Sequence, residues 1–149
     1  MRRIAGSAVV GLVAAAGVLA GMQPAAAVTG PPVRIVSVQY DSPGTDSRSN
    51  ASLNAEWVVL RNVTGARVDL TGWTLRDAQN QVYSFGALTL AARATVRVHT
   101  GRGTNTAADR YWGRSNYVWN NTGDRAVLRS RTAVAQTCSW GRGSGSVTC

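Results

Sequence analysis

The sequence predicts an all-β chain folded as an antiparallel two-sheet sandwich, and three observations carry that prediction. Residues 56–75 read Glu-Trp-Val-Val-Leu-Arg-Asn-Val-Thr-Gly-Ala-Arg-Val-Asp-Leu-Thr-Gly-Trp-Thr-Leu, two apolar runs of strand character joined by a polar reversal and closed by Gly-Trp. Short runs of this kind recur along the chain between polar turns, in a composition with 15% charged residues and much Gly, Ser, Thr, Asn and Val. Beyond the N-terminal segment, no stretch sustains the 3.6-residue period of an amphipathic helix.

Taken in order, Arg2 and Arg3 precede an apolar stretch from Ile4 to Ala20 and the small residues Ala25-Ala26-Ala27, the pattern of a secretory signal peptide over residues 1–27. A membrane anchor needs about 20 apolar residues, and Gly6, Ser7, Gly11, Gly17 and Gly21 dilute this run. The arginine pair leaves general and twin-arginine export both open. Residues 28–32, with Pro31-Pro32, form a short extended linker, and residues 33–149 the sandwich domain. The first strand is expected from Val33 to Tyr40 and an exposed loop from Asp41 to Ser52, where no apolar pattern exists.

Strands are then expected at Ala55–Asn62, Ala66–Leu70, Thr74–Arg76, Gln81–Phe85 and Thr95–Thr100, with Asp77–Asn80 as a hairpin turn. Gly72 lets the backbone pass close to a neighbour while Trp73 enters the core. Gly101–Asp109 reads as a second long loop and Tyr111–Trp119 as an irregular or edge strand. Arg125–Ser130 and Ala133–Cys138 make the last hairpin, with Arg129 and Arg131 at its turn.

Removing 27 residues from 149 leaves 122, enough for one domain with its own core and too few for two. The full chain carries 16 Arg, no Lys and 7 acids; without Arg2 and Arg3, 14 Arg face the same 7 acids, a net charge of +7. Such a balance favours anionic partners, against the alternative of solubility alone. Cys138 and Cys149 are the only cysteines, and in an exported chain they are expected to pair. A metal site would lack further ligands and a redox pair normally has closer spacing.

The run Glu-Trp-Val-Val-Leu-Arg-Asn followed by Val-Asp-Leu-Thr-Gly-Trp-Thr-Leu resembles the opening of a lamin tail domain. Tyr83-Ser84-Phe85, Leu88-Thr89-Leu90 and Ala94–Val98 resemble the strands that follow in that family. Trp112-Gly113 with Trp119–Leu128 resembles its closing hairpin. The resemblance runs from about Val33 to Trp140 and implies an immunoglobulin-like antiparallel β-sandwich of lamin-tail type, in a small secreted bacterial member of the family.

Chemistry has few carriers. His99 is the only histidine and Glu56 the only glutamate. In Val96-Arg97-Val98-His99, alternation puts His99 on the face of Arg97, a solvated strand position. Glu56 shares its face with Val58 and Leu60, which tips it inward and requires partners from the backbone or an arginine. Asp41, Asp46, Asp77, Asp109 and Asp124 fall in expected turns, and no EF-hand-like spacing exists. No cofactor, metal or catalytic residue is expected, and the chain is read as non-enzymatic. A small hydrolase using Glu56, His99 or Asp124 is the remote alternative.

The binding candidates are Arg102, Arg110, Tyr111, Arg114, Tyr117 and Arg125, since arginines interleaved with rings suit phosphate neutralisation and stacking. The competing reading makes Trp112 and Trp119 core and the arginines their cover. The expected role is a secreted or cell-surface module, monomeric, holding an anionic polymer such as nucleic acid or envelope polysaccharide. Reversing Arg110 and Arg114 to Glu is expected to cut binding without lowering thermal stability. The alternative is a protein partner met by sheet-edge pairing. The sequons at Asn50, Asn62 and Asn120 are chance matches in turn-rich sequence.

Overall fold

In a computed structural model of the chain, described for Ala27 and residues 29–149, eleven strands and one short helix assemble two facing sheets. The expected signal peptide lies outside the described residues except for Ala27. The elements are β1 (Val33–Gln39), α1 (Asn50–Asn54), β2 (Trp57–Asn62), β3 (Val68–Asp69), β4 (Thr74–Arg76), β5 (Val82–Ser84), β6 (Thr89–Leu90), β7 (Thr95–His99), β8 (Asp109–Tyr111), β9 (Gly123–Arg129), β10 (Val134–Gly141) and β11 (Ser146–Thr148). Strand order is β11-β1-β2-β7-β8 in one sheet and β10-β9-β4-β5 in the other, with β3 and β6 paired separately.

Alternation places the core. Val33, Ile35, Val38, Val58, Leu60, Val96 and Val98 turn inward from the first sheet, and Leu75, Tyr83, Ala126, Leu128 and Cys138 from the second. A row of rings crosses this interior: Tyr40 stacks on Trp140 at 5.1 Å, and contacts pass through Trp119, Trp112 and Tyr83 to Phe85. Trp119 is therefore a core residue, as the competing reading of the sequence had it, and Trp112 is partly buried and packs against the core. Among the described residues, every strand and the whole core cluster lie between Val33 and Thr148.

The immunoglobulin-like sandwich is as predicted, with four local differences. Residues 50–54 form a helical turn where an exposed loop was expected. Ser49 caps it, its hydroxyl accepting from the Ser52 N–H, but five residues are too few to show a period. The strand after β7 is Asp109–Tyr111, whereas residues 112–119 of the expected Tyr111–Trp119 edge strand form none, and β8 runs parallel to β7 because the connection from Gly101 to Ala108 returns the chain in the same direction. Arg129 ends β9 within the sheet, paired with Val134, instead of lying in the turn. The C-terminal tail is itself a strand, β11, on the edge of β1.

Candidate interaction surface

At the start of β2 and the end of β7, which lie side by side, three backbone bonds dock the irregular segment after β8 that carries Arg114 and Tyr117. Trp112, Gly113 and Arg114 donate their N–H groups to the carbonyls of His99, Gly101 and Thr100. Gly101 packs closely there: a Cβ would stand 2.5 Å from Asn54 Oδ1 and displace that side chain. Glu56 fixes the same segment from beneath. Its side chain is buried, and Oε1 accepts from the Thr100 hydroxyl at 2.6 Å and the Val118 N–H at 2.8 Å. Burial pushes its carboxyl up to about 7 from an ordinary 4.5, although those two hydrogen bonds pull the other way. The inward orientation and the backbone partner match the sequence reading; a threonine hydroxyl takes the place of an arginine.

His99 is not a solvated strand residue. Its side chain is 12% exposed, with Nδ1 2.8 Å from the Asn54 carbonyl and Nε2 2.9 Å from Asp109 Oδ1, and its ring stacks on Tyr111 at 4.9 Å. Alternation assigned the correct face. It could not reveal that α1 and the parallel strand β8 would cover it.

The six candidates do not form one patch. Arg114 lines a shallow depression of about 330 Å3 with Gly113, Ser115 and Asn116, and Arg102 reaches the Ser115 side of it. Arg102 Nη2 donates to Ser115 Oγ at 3.0 Å, and Arg114 donates to Gln81 Oε1. Tyr117 borders this region but is held, its hydroxyl 2.6 Å from Ser52 Oγ. Tyr111 faces outward against His99. Arg110 stands opposite Val98 on the inward face of β8, and its Nη2 donates to the Ala87 carbonyl at 3.1 Å. It is a strut across the open side of the sandwich, so reversing it is expected to cost stability, unlike the sequence expectation. Arg125 lies on the other sheet, on β9 opposite Ser139.

A second depression, of about 220 Å3, opens on the outer face of the first sheet between Val59, Thr95, Arg97, Ala108 and Asp109. Arg97 lies over the Trp57 ring at 4.5 Å. The alternation Trp57, Val59, Arg61 was the signal for this surface. Its missing half was the register that sets Arg97 opposite Val59.

The charges are distributed unevenly. Glu56, Asp77 and Asp124 are buried and accept internal hydrogen bonds. Among the described residues none of the 14 arginines from Arg34 to Arg142 lies within ion-pairing distance of a carboxylate; the one acid–base side-chain contact is His99 Nε2 with Asp109 Oδ1. Among the described residues, no three His, Cys, Asp or Glu side chains converge as metal ligands would, and no helix is long and apolar enough to cross a membrane.

Two facing sheets, a ring-filled core and a surface of unpaired guanidiniums define an immunoglobulin-like interaction domain. The chain belongs to the lamin tail domain family, whose family model matches residues 26–142. No curated protein matches the chain. The Cys138–Cys149 disulfide is formed, with Cα atoms 5.7 Å apart.

Proposed function

We propose that the protein is exported, loses residues 1–27, and acts outside the cell as a non-enzymatic module that holds an anionic polymer, nucleic acid or envelope polysaccharide. One observation carries the reading: among the described residues Glu56, Asp77 and Asp124 are buried while no arginine is, and no arginine is paired with a carboxylate. A family whose immunoglobulin-like domain is an interaction module supports it. From the predicted set, Arg114, which lines the 330 Å3 depression, and Arg102, which donates to Ser115 of its lining, are the guanidiniums assigned to the polymer in this reading. Glu56 lines neither of the two depressions and is bound to Thr100 and Val118, so in this reading it anchors the fold.

Fluorescence anisotropy of the oxidised domain with labelled double-stranded DNA and with an anionic polysaccharide tests this. Affinity should fall tenfold or more between about 50 and about 200 mM salt, as counterion release requires. Arg102→Glu with Arg114→Glu should remove most of the binding at an unchanged melting temperature. Absence of binding at low salt to both polymers overturns the proposal.

A further inference from the structure

Two large hydrophobic side chains are exposed among the described residues, Val82 at 39% and Val134 at 51%, and both lie on one face with three arginines. The register fixes this. On the outer face of the four-stranded sheet, Arg125 and Arg129 of β9 flank Val127, and Arg76 of β4 stands opposite Val127. Val82 of β5 is opposite Arg76, and Val134 of β10 is opposite Arg129. The sequence neighbours with the opposite charge point away. Asp124, next to Arg125, is buried, its carboxylate taking the N–H groups of Ala78, Arg125 and Asn120. Asp77, next to Arg76, is buried and bound to Gln81. Period-two alternation thus sorts acid inward and base outward, and no carboxylate shares the face.

We propose that this face docks flat on an anionic lipid bilayer, with Arg76, Arg125 and Arg129 on headgroup phosphates and Val82 and Val134 at the headgroup boundary. Charge complementarity selects an anionic partner, and the valines select a partner with an apolar layer behind its charge. A stranded polymer suits the face less well, because it presents no ring on which a base or sugar could stack. Arg125 and Arg129 are separated by four residues of strand, about 13 Å, with Arg76 one strand away, about 5 Å. That spread fits a plane of many phosphates better than one chain of them. The inference rests on the proposed preference for an anionic partner but assigns it to a surface other than the Arg102–Arg114 depression.

Cosedimentation of the oxidised domain with vesicles of phosphatidylcholine alone, and of phosphatidylcholine with phosphatidylglycerol, tests it beside a soluble anionic polysaccharide. The domain should bind only the phosphatidylglycerol vesicles. Arg76→Gln, Arg125→Gln and Arg129→Gln should each weaken this about fivefold, while Arg67→Gln, the same charge loss at an exposed turn, leaves it unchanged. Val134→Ser, at a half-exposed position outside the core, should weaken it most in high salt, where the charges are screened. Equal binding to neutral vesicles, or full binding by the three arginine variants, overturns the inference. Polysaccharide bound without vesicles overturns it and leaves the polymer reading standing; vesicles bound without polysaccharide supports it alone; neither bound overturns it together with the polysaccharide half of the polymer reading.

Discussion

Both backbone groups of Ile35 are paired by a single side chain, the amide of Gln136. The Ile35 N–H donates to Gln136 Oε1 at 2.7 Å, and Gln136 Nε2 donates back to the Ile35 carbonyl at 3.4 Å. The contact falls where both strands are irregular: the β1 register shifts between Ile35 and Ser37, and the β10 register between Val134 and Gln136. β11 pairs β1 only from Ser37 onward, so the edge of β1 at Ile35 would otherwise have no ladder partner. A side chain from the opposite sheet closes that edge and ties the two sheets at one corner.

Gln136→Met keeps the volume and removes both bonds, leaving a donor and an acceptor of Ile35 unpaired. Stability should fall by about 1–3 kcal/mol, read as a lowered urea midpoint at unchanged slope. An unchanged midpoint would mean that water reaches the Ile35 backbone.

Glu56 gives a pH dependence whose sign is opposite to that of a paired surface carboxylate. Its folded-state value, about 7, lies above the ordinary 4.5, so the folded protein holds this proton to higher pH than the unfolded chain does. The stability it contributes is full below about pH 4.5 and is lost as pH rises through about 7, by about 3 kcal/mol in all. Glu56→Gln retains an oxygen for the Thr100 hydroxyl and the Val118 N–H and removes the titration. Urea midpoints on either side of that window should differ less in the variant than in the parent; equal differences would show that Glu56 titrates normally.

Asn62 is fully buried and joins three segments. Its Nδ2 donates to the carbonyls of Ala66, Leu90 and Ala91, and its Oδ1 accepts the Thr64 N–H at 2.9 Å and the Thr64 hydroxyl at 2.8 Å. The sequon that begins at Asn62 therefore has its amide nitrogen consumed by the fold. Asn62→Asp replaces the donor with an acceptor facing three carbonyls, and about 3 kcal/mol or more should be lost at neutral pH. Thermal melts across pH would check this, since protonating the new carboxyl at low pH should recover part of the loss.

The sandwich was legible where side-chain alternation is strict. Val58 and Leu60 against Trp57, Val59 and Arg61 gave the β2 faces correctly, and with them the inward Glu56. What alternation cannot carry is the identity of the neighbouring strand. The parallel pairing of β8 with β7 depends on how residues 101–108 return, and it decides whether Arg110 faces solvent or spans the sandwich. The candidate surface was legible to the same extent: Arg102, just beyond β7, reaches Ser115 beside Arg114, whereas Arg125 follows the inward Asp124 onto the opposite sheet. The apolar-basic face of the second sheet was hidden for a related reason. Its five residues come from four strands, and only the register gathers them.

The disulfide joins the sheets at the corner next to Gln136. Cys138 is buried on β10, while Cys149 follows β11 and donates its N–H to the Val36 carbonyl at 2.9 Å. β11 has only three residues, each paired to β1, and Val147 alone packs against the core. Its attachment therefore depends on the cross-link more than that of any longer strand. Cys138→Ser with Cys149→Ser should cost about 2–3 kcal/mol in the urea midpoint. Hydrogen exchange should separate a local loss from a global one: the amides of Ser146–Thr148 should exchange freely in the variant while those of β2 and β9 keep their protection. If β2 and β9 lose protection to the same degree as β11, the cross-link holds the whole sandwich and not one edge strand.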